Sequence, residues 1–372
     1  MLNKLNKQNG AVSIFIVIFT AILITTITVS FVQLMVRDQQ QATTSDLSQS
    51  AYDSAMAGVE DAKRALILQD LCNKNHASVS VPACNLARTA ISSGECQSVS
   101  NALGIIPSNG EILIKQDESD IKLDQAYTCV KIASNTPDYI GSLNKGTSQL
   151  ITLKGSGAFN TIELNWFTKV DNAGSNTVEL ANMDRLPRTA KWDDNTPPVM
   201  RTQFISPGSS FDLSEFDTSK SNTLFLYPAA AGSITKSFSI DDVRRLGNTE
   251  PEAIQCLNNF NTSIYSCKVK IELPNEVNDT QTAYLRLSTL YNKATYQVKL
   301  SKSGSSVDFA GVQPEIDSTG RANDLFRRVK SRVSLDASNL NISAIEVNEK
   351  LCKDFTITDK EADYKTGLGC ED

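Results

Sequence analysis

Hydrophobic and polar positions along the chain fall into three successive patterns. The first is "AVSIFIVIFTAILITTITVSFVQLMV", 26 residues from Ala11 to Val36 without a charge. As a helix rising 1.5 Å per residue it reaches about 39 Å, enough to cross a hydrocarbon core of roughly 30 Å with some tilt. A secretory signal has an apolar region of roughly 7 to 15 residues ending in a small-x-small cleavage site. This stretch is longer and lacks that ending, so it predicts a membrane span rather than a discarded signal. Thr20, Thr25, Thr26, Thr28, Ser30 and Gln33 dilute its second half. In a helix, hydroxyls there are expected to bond back to their own backbone.

The second pattern has helical period. In "QATTSDLSQSAYDSAMAGVEDAKRALILQDL", Leu47, Ala51, Ala55, Val59, Ala62 and Leu66 recur at spacings of three or four, while Asp46, Asp53, Glu60, Asp61, Lys63 and Arg64 occupy most of the other faces. With no stop signal between the two patterns, one helix is predicted over 11–69, transmembrane over 11–36 and amphipathic over 37–70. Small residues dominate its polar half's apolar stripe, so whatever covers them must approach closely. A β-sheet of the same chain would fit; a coiled coil is the alternative, weakened by so many alanines.

The third pattern, beyond Cys72, is alternation with period two. "CKVKIELP" sets Cys267, Val269, Ile271 and Leu273 against Lys268, Lys270 and Glu272, and "AYLRLSTLYNKATYQVKLS" reads as two strands around a turn near Asn292. Further strands are predicted at 110–115, 127–133, 149–154, 160–168, 199–206, 222–228, 233–239 and 340–346. In "LFRRVKSRVSL" (325–335), Val329, Ser331, Val333 and Leu335 face one way and Arg328, Lys330 and Arg332 the other. The fold class is therefore α+β: a long N-terminal helix, then a large, mostly antiparallel β head in two or three subdomains. These are a cysteine-containing connecting part (71–135) and two β-rich parts (136–245 and 246–372).

Charge sets the orientation and narrows the partners. Lys4 and Lys7 precede the span, whereas Arg37 after it is neutralised by Asp38. The positive-inside rule then keeps the N-terminus inside and places the head outside. With 36 Lys+Arg against 42 Asp+Glu the net charge is −6, which argues against a nucleic-acid partner, since phosphates demand a clustered cationic face.

Eight cysteines all follow the span: Cys72, Cys84, Cys96, Cys129, Cys256, Cys267, Cys352 and Cys370. An external domain can use all of them as disulfides. Their clustering suggests 256–267, 352–370 and two bridges among the first four. The cysteine-free stretch from Val130 to Gln255 reads as a module held by its own core.

Catalytic signatures are missing. There is no G-x-S-x-G, no phosphate-cradling glycine loop, no HExxH and no CxxC, and His76 is the single histidine, in a polar loop between cysteines. Asp193 with Asp194, and Asp212 with Glu215 and Asp217, could offer oxygens to Ca²⁺, but their spacing fits solvated turns better than an EF-hand. Trp166 and Trp192 suit a core as well as a sugar platform. No cofactor or metal is expected.

A short leader ending in Gly10, an uncharged span that starts at once and a helix continuing into "SQSAYDSAMAGVEDAKRAL" resemble type IV pilin-like proteins, specifically the PilX-type minor pilins. The resemblance covers residues 4–69 and includes the A-x-x-A-x-A-G-[IV]-E-x-A pattern, here Ala51, Ala55, Ala57, Gly58, Val59, Glu60 and Ala62. "DSTGRANDLFRRVKSRV" (317–333) is similar to the closing β region of such proteins, and Cys352 with Cys370 resembles the bridge that ties down a pilin's C-terminal loop. The resemblance implies cleavage between Gly10 and Ala11 by a prepilin peptidase. It further implies a helix that serves first as membrane anchor and then as filament core among other pilin subunits, and a head on the cell surface with an assembly or adhesion role. Pilins usually carry Glu at the fifth mature position and often Pro at the twenty-second. Here these are Phe15 and Val32, which implies a minor or tip-associated subunit. The rival expectation is a single-pass surface binding protein, with carbohydrate as one ligand class, outside any filament.

Overall fold

The computed structural model describes residues 9–73, 80–114, 124–180, 192–205, 221–238 and 251–334, with side chains from Ile14 onward except at Ala90, Ser221 and Asn222. Its dominant element is α1 (Asn9–Asn73), a single helix of 65 residues, about 98 Å long at the helical rise. It is long and apolar enough to cross a membrane, and every residue from Ile14 to Asp46 is exposed. Inside this stretch the hydroxyls behave as the sequence predicts: those of Thr20, Thr26, Thr28 and Ser30 donate to the carbonyls of Ile16, Ile22, Ile24 and Thr26 at 2.8–2.9 Å.

Two compact units make up the chain. One comprises the described residues up to Lys131 together with Ile316–Ser331. Besides α1 it holds α2 (Val81–Ser93) and α3 (Ser98–Leu103). Ser80 caps α2, its hydroxyl accepting from the Ala83 amide, and Gly94 closes the helix in the left-handed conformation that a residue without Cβ adopts freely. A sheet of order β1-β2-β14-β15, formed by Ile112–Leu113, Gln125–Thr136, Phe309–Ala322 and Leu325–Arg332, gives this unit its residues 112–113, 125–131, 316–322 and 325–331. Bridges Cys72–Cys84 and Cys96–Cys129 join the end of α1 to α2 and the turn before α3 to β2.

The second unit, Ile132–Glu315 with 332–334, is a β-sandwich. One sheet runs β13-β12-β5-β10-β8, with β3 also paired to β12; the other runs β4-β11-β6-β7-β9. The strands are β3 (Tyr139–Leu143), β4 (Ser148–Leu153), β5 (Phe159–Thr168), β6 (Val199–Ile205), β7 (Ser221–Ala229), β8 (Thr235–Ser237), β9 (Glu252–Gln255), β10 (Tyr265–Val277), β11 (Ala283–Leu290), β12 (Ala294–Lys302) and β13 (Ser305–Val307). Pairing is antiparallel except β8 with β10 and β9 with β7. Register stacks the inward side chains in rows across β12, β5 and β10: Tyr296, Trp166 and Cys267; Val298, Leu164 and Val269; Leu300, Ile162 and Ile271. All nine are buried and belong to the core that Ile151, Phe204, Leu226 and Leu285 fill from the other sheet. Alternation in the sequence is thus the pleat of half-buried strands.

Three expectations need correction. The strands flanking Asn292 do not form a hairpin: β11 pairs with β4 and β6, while β12 pairs with β3, β5 and β13. The chain crosses between sheets at Tyr291, whose φ of 78° is left-handed. That corner is pinned by the Asn292 amide, which donates to the carbonyls of Asp194 and Thr196, and by Trp192 stacked on Tyr291. Second, a division at 245/246 does not separate two bodies, because β10 and β12 flank β5 on either side. Third, and for the same reason, the stretch 130–255 does not hold itself together by its own core: six of the nine residues in the rows above come from beyond Gln255. Cys256–Cys267 bridges as clustering suggested. Cys352, Cys370, His76, Asp212, Glu215, Asp217 and the strand predicted at 340–346 lie outside the described residues.

Candidate functional site: the sealed half of α1

Helix α1 changes character after Asp46. Ala51, Ser54, Ala55, Gly58, Val59, Ala62, Ala65 and Leu66 are buried, at the spacings of one helical face. The cover is the sheet of the same chain rather than a coiled-coil partner. A Cβ on Gly58 would stand 2.4 Å from Ser318 Oγ and 2.7 Å from Val130 Cγ2; one on Gly320 would stand 2.1 Å from the Ala55 amide nitrogen and 2.2 Å from the Ala51 carbonyl. Backbone of β14 therefore rests almost directly on backbone of α1. Only glycine fits at either position, and this explains the small residues of the stripe.

Polar groups around the seam fix its register. Tyr127 on β2 donates its phenol to Asp61 at 2.7 Å; burial, and then this carboxylate, push the phenol's pKa upward. Arg327 on β15 donates to Ser48 Oγ at 2.8 Å. Arg328 makes a paired contact with Asp317, holding that carboxyl below its ordinary range. Arg321 reaches Glu111 at 2.6 Å and Asp124 at 2.7 Å. This bidentate fork raises the guanidinium's pKa and, by its hydrogen bond, lowers that of Asp124. The Ser318 hydroxyl, fully buried under Gly58, has no hydrogen-bond partner.

The predicted site residues divide accordingly. Ala51, Ala55, Gly58 and Ala62 form the seam. Glu60 of the same pattern does not enter it: it is exposed and pairs with Lys63 at 2.6 Å. The acid that reaches the sheet is its neighbour Asp61, and the spacing of Asp61 from Tyr127, 66 residues apart, carries no sequence signal. Gly10 and Ala11 lie in the first turn of α1. Phe15 is exposed, at 74%. Asp193 and Asp194 are turn residues whose carbonyls accept from Thr196 and Asn292. Trp166 is wholly buried and donates to the Pro198 carbonyl, and Trp192 is buried against Tyr291, so both serve the core. Among the described residues no group of three or more His, Cys, Asp or Glu side chains is placed to hold a metal ion. No family model, curated protein or solved structure matches the chain.

Proposed function

We propose that the chain is a minor pilin or pseudopilin, a non-enzymatic subunit of a type IV pilus-like filament that primes assembly or displays its head for adhesion. One observation carries this reading: a single helix is sealed by its own sheet from Ala51 to Leu66 and left bare from Ile14 to Asp46. A helix that only tethers a domain has no need of 65 unbroken residues. One that must leave the bilayer and pack among other subunits keeps its shape in both settings. In this reading the N-terminus starts on the cytoplasmic side, a prepilin peptidase cuts between Gly10 and Ala11, and disulfides stabilise a head in an oxidising exterior. Lateral partners are other pilin subunits, met through α1.

Phe15, where pilins usually have an acid, favours a second reading, a membrane-anchored surface binding protein outside any filament. Intact mass of the membrane-derived protein tests maturation: the proposal expects a chain beginning at Ala11, and Gly10→Val should leave residues 1–10 attached. Immunogold labelling on filaments or their tips supports the subunit reading; uniform membrane staining with an uncut leader would overturn it.

A further inference from the structure

The sheet β4-β11-β6-β7-β9 turns one face to the sandwich core and the other away. On the outer face, register sets Arg201 of β6 opposite Ser288 of β11, and Arg286, two residues back, opposite Gln203. The two arginines are thus diagonal neighbours, a separation of about 7–8 Å between positions that long side chains readily bridge. Both are half-buried. Arg286 donates to Ser148 Oγ at 3.3 Å, and the Arg201 guanidinium lies 5.9 Å from the centre of the Phe225 ring. Among the described residues neither has a carboxylate partner, and Nε of Arg201 is buried without an acceptor. Burial, and then the Arg286 charge, pull the Arg201 pKa below its ordinary value, though a guanidinium remains cationic.

This is unusual within the molecule. Carboxylates outnumber cations by 42 to 36, and Arg321, Arg328 and Arg332 each hold one or two of them. Two adjacent, half-desolvated guanidiniums repel each other and forfeit hydrogen bonds they had in water, a cost that the Ser148 hydroxyl and the Phe225 ring offset only in part and that no carboxylate among the described residues offsets. We propose that Arg201 and Arg286 form a binding site for an oxyanion, a carboxylate or sulfate group on a small ligand from outside the chain. The planar forks of two arginines match such a group, Ser148 and Ser288 add neutral hydroxyls, and the Phe225 ring gives the ligand an apolar neighbour. The proposal stands apart from the filament reading, since it needs only the sandwich.

The test uses the full chain in detergent at constant ionic strength, titrated calorimetrically with glucuronate, succinate and inorganic sulfate, with glucose as neutral control. Saturable binding of at least one oxyanion and none of glucose is expected, and the strongest of the three identifies a sugar acid, a plain carboxylate or a sulfate as the source. Arg201→Gln and Arg286→Gln should each weaken that binding about tenfold or more, the scale of one lost charged hydrogen bond. Without anion, Arg201→Gln should melt no lower than the parent chain, which also shows that the variant is folded. Should it fail to fold, Arg286→Gln carries the same expectation. Absence of saturable oxyanion binding, or binding undiminished in the folded variants, would overturn the proposal.

Discussion

The two buried regions of the molecule are built from opposite materials. Along α1 the seam consists of Ala51, Ala55, Gly58 and Ala62 against a face of β14 that alternates Ser318, Gly320 and Ala322, all buried. The sandwich core consists of Trp166, Phe159, Leu164 and Tyr296 against Leu285, Phe204 and Leu226. Large side chains fill the space between two sheets, which pack about 10 Å apart. Short ones allow a helix and a sheet to approach until backbone meets backbone. The sandwich core fails when volume is removed, the seam when it is added.

Leu164→Ala should have the largest effect. Leu164 sits fully buried between Val269 and Val298 on the central strand, and truncation of such a residue costs about 2–5 kcal/mol because the neighbours close the void only in part. Both tryptophans of the chain, Trp166 and Trp192, belong to this unit, so a denaturant midpoint followed by tryptophan fluorescence reads it directly. A midpoint unchanged from the parent would mean the rows across β12, β5 and β10 are not a packed core.

Gly320→Val reverses the operation. The added carbon would fall 2.1 Å from a backbone nitrogen of α1, and no side chain stands there to rotate away. Overpacking of this kind costs about 1–3 kcal/mol, at the upper end where backbone must yield. Expected are faster amide exchange over 51–66 of α1 and tryptic cleavage at Lys63 or Arg64, with native tryptophan emission unchanged. Protection equal to the parent's would show that β14 and α1 are further apart than the geometry states.

The same contrast explains what could be read from the sequence. Sandwich strands such as β10 and β12 announce themselves because their inward positions are strongly apolar and their outward ones are Lys, Gln and Glu. In α1 the span and the stripe at three and four residues were legible, and the helix extends only a few residues past its predicted limits. Of β14 only residues 317–322 were read as β, within the stretch 317–333. Its buried face over the helix is Ser318 and Gly320, which hydropathy reads as a loop, and Pro314 and Gly311 weaken the strand signal further. Their reason for being small lies on another element, at Gly58 and Ala55 of α1. β3, β9 and β13 were too short to carry a period. The assignment of β11 and β12 to different sheets was hidden because alternation records which residues face a core, and here both strands face the same one.

Ser318→Ala sharpens the comparison at smaller scale. The hydroxyl is buried without a partner, so its removal deletes an unsatisfied polar group while keeping the Cβ that fits over Gly58. Stability of the helix-bearing unit, followed by exchange protection over 51–66, should stay level or rise by about 1 kcal/mol. A clear loss of protection would reveal an acceptor for this hydroxyl and would mean that the seam is specified by a hydrogen bond as well as by size.

The smallest effect expected is electrostatic. Asp317 on β14 has its carboxyl held below the ordinary value of 3.8, chiefly by the hydrogen-bonded Arg328 guanidinium. A group whose folded pKa is depressed contributes stability that is fully present above the unfolded value and is lost as pH falls through the folded one. Sheet β1-β2-β14-β15 should therefore loosen from α1 below about pH 4, while at neutral pH the contribution is constant. Arg328 is largely exposed, so the pair is screened and is worth at most about 1 kcal/mol. Asp317→Asn removes the titrating group and should flatten this part of the acid response, leaving the neutral-pH seam close to the parent's because size, not charge, closes it. Exchange protection over 51–66, compared between pH 7 and pH 3 for parent and variant, measures the difference. Equal acid sensitivity in the two chains would shift the cause to Asp124 on Arg321, and the double change Asp124→Asn with Asp317→Asn would then be the one that flattens it.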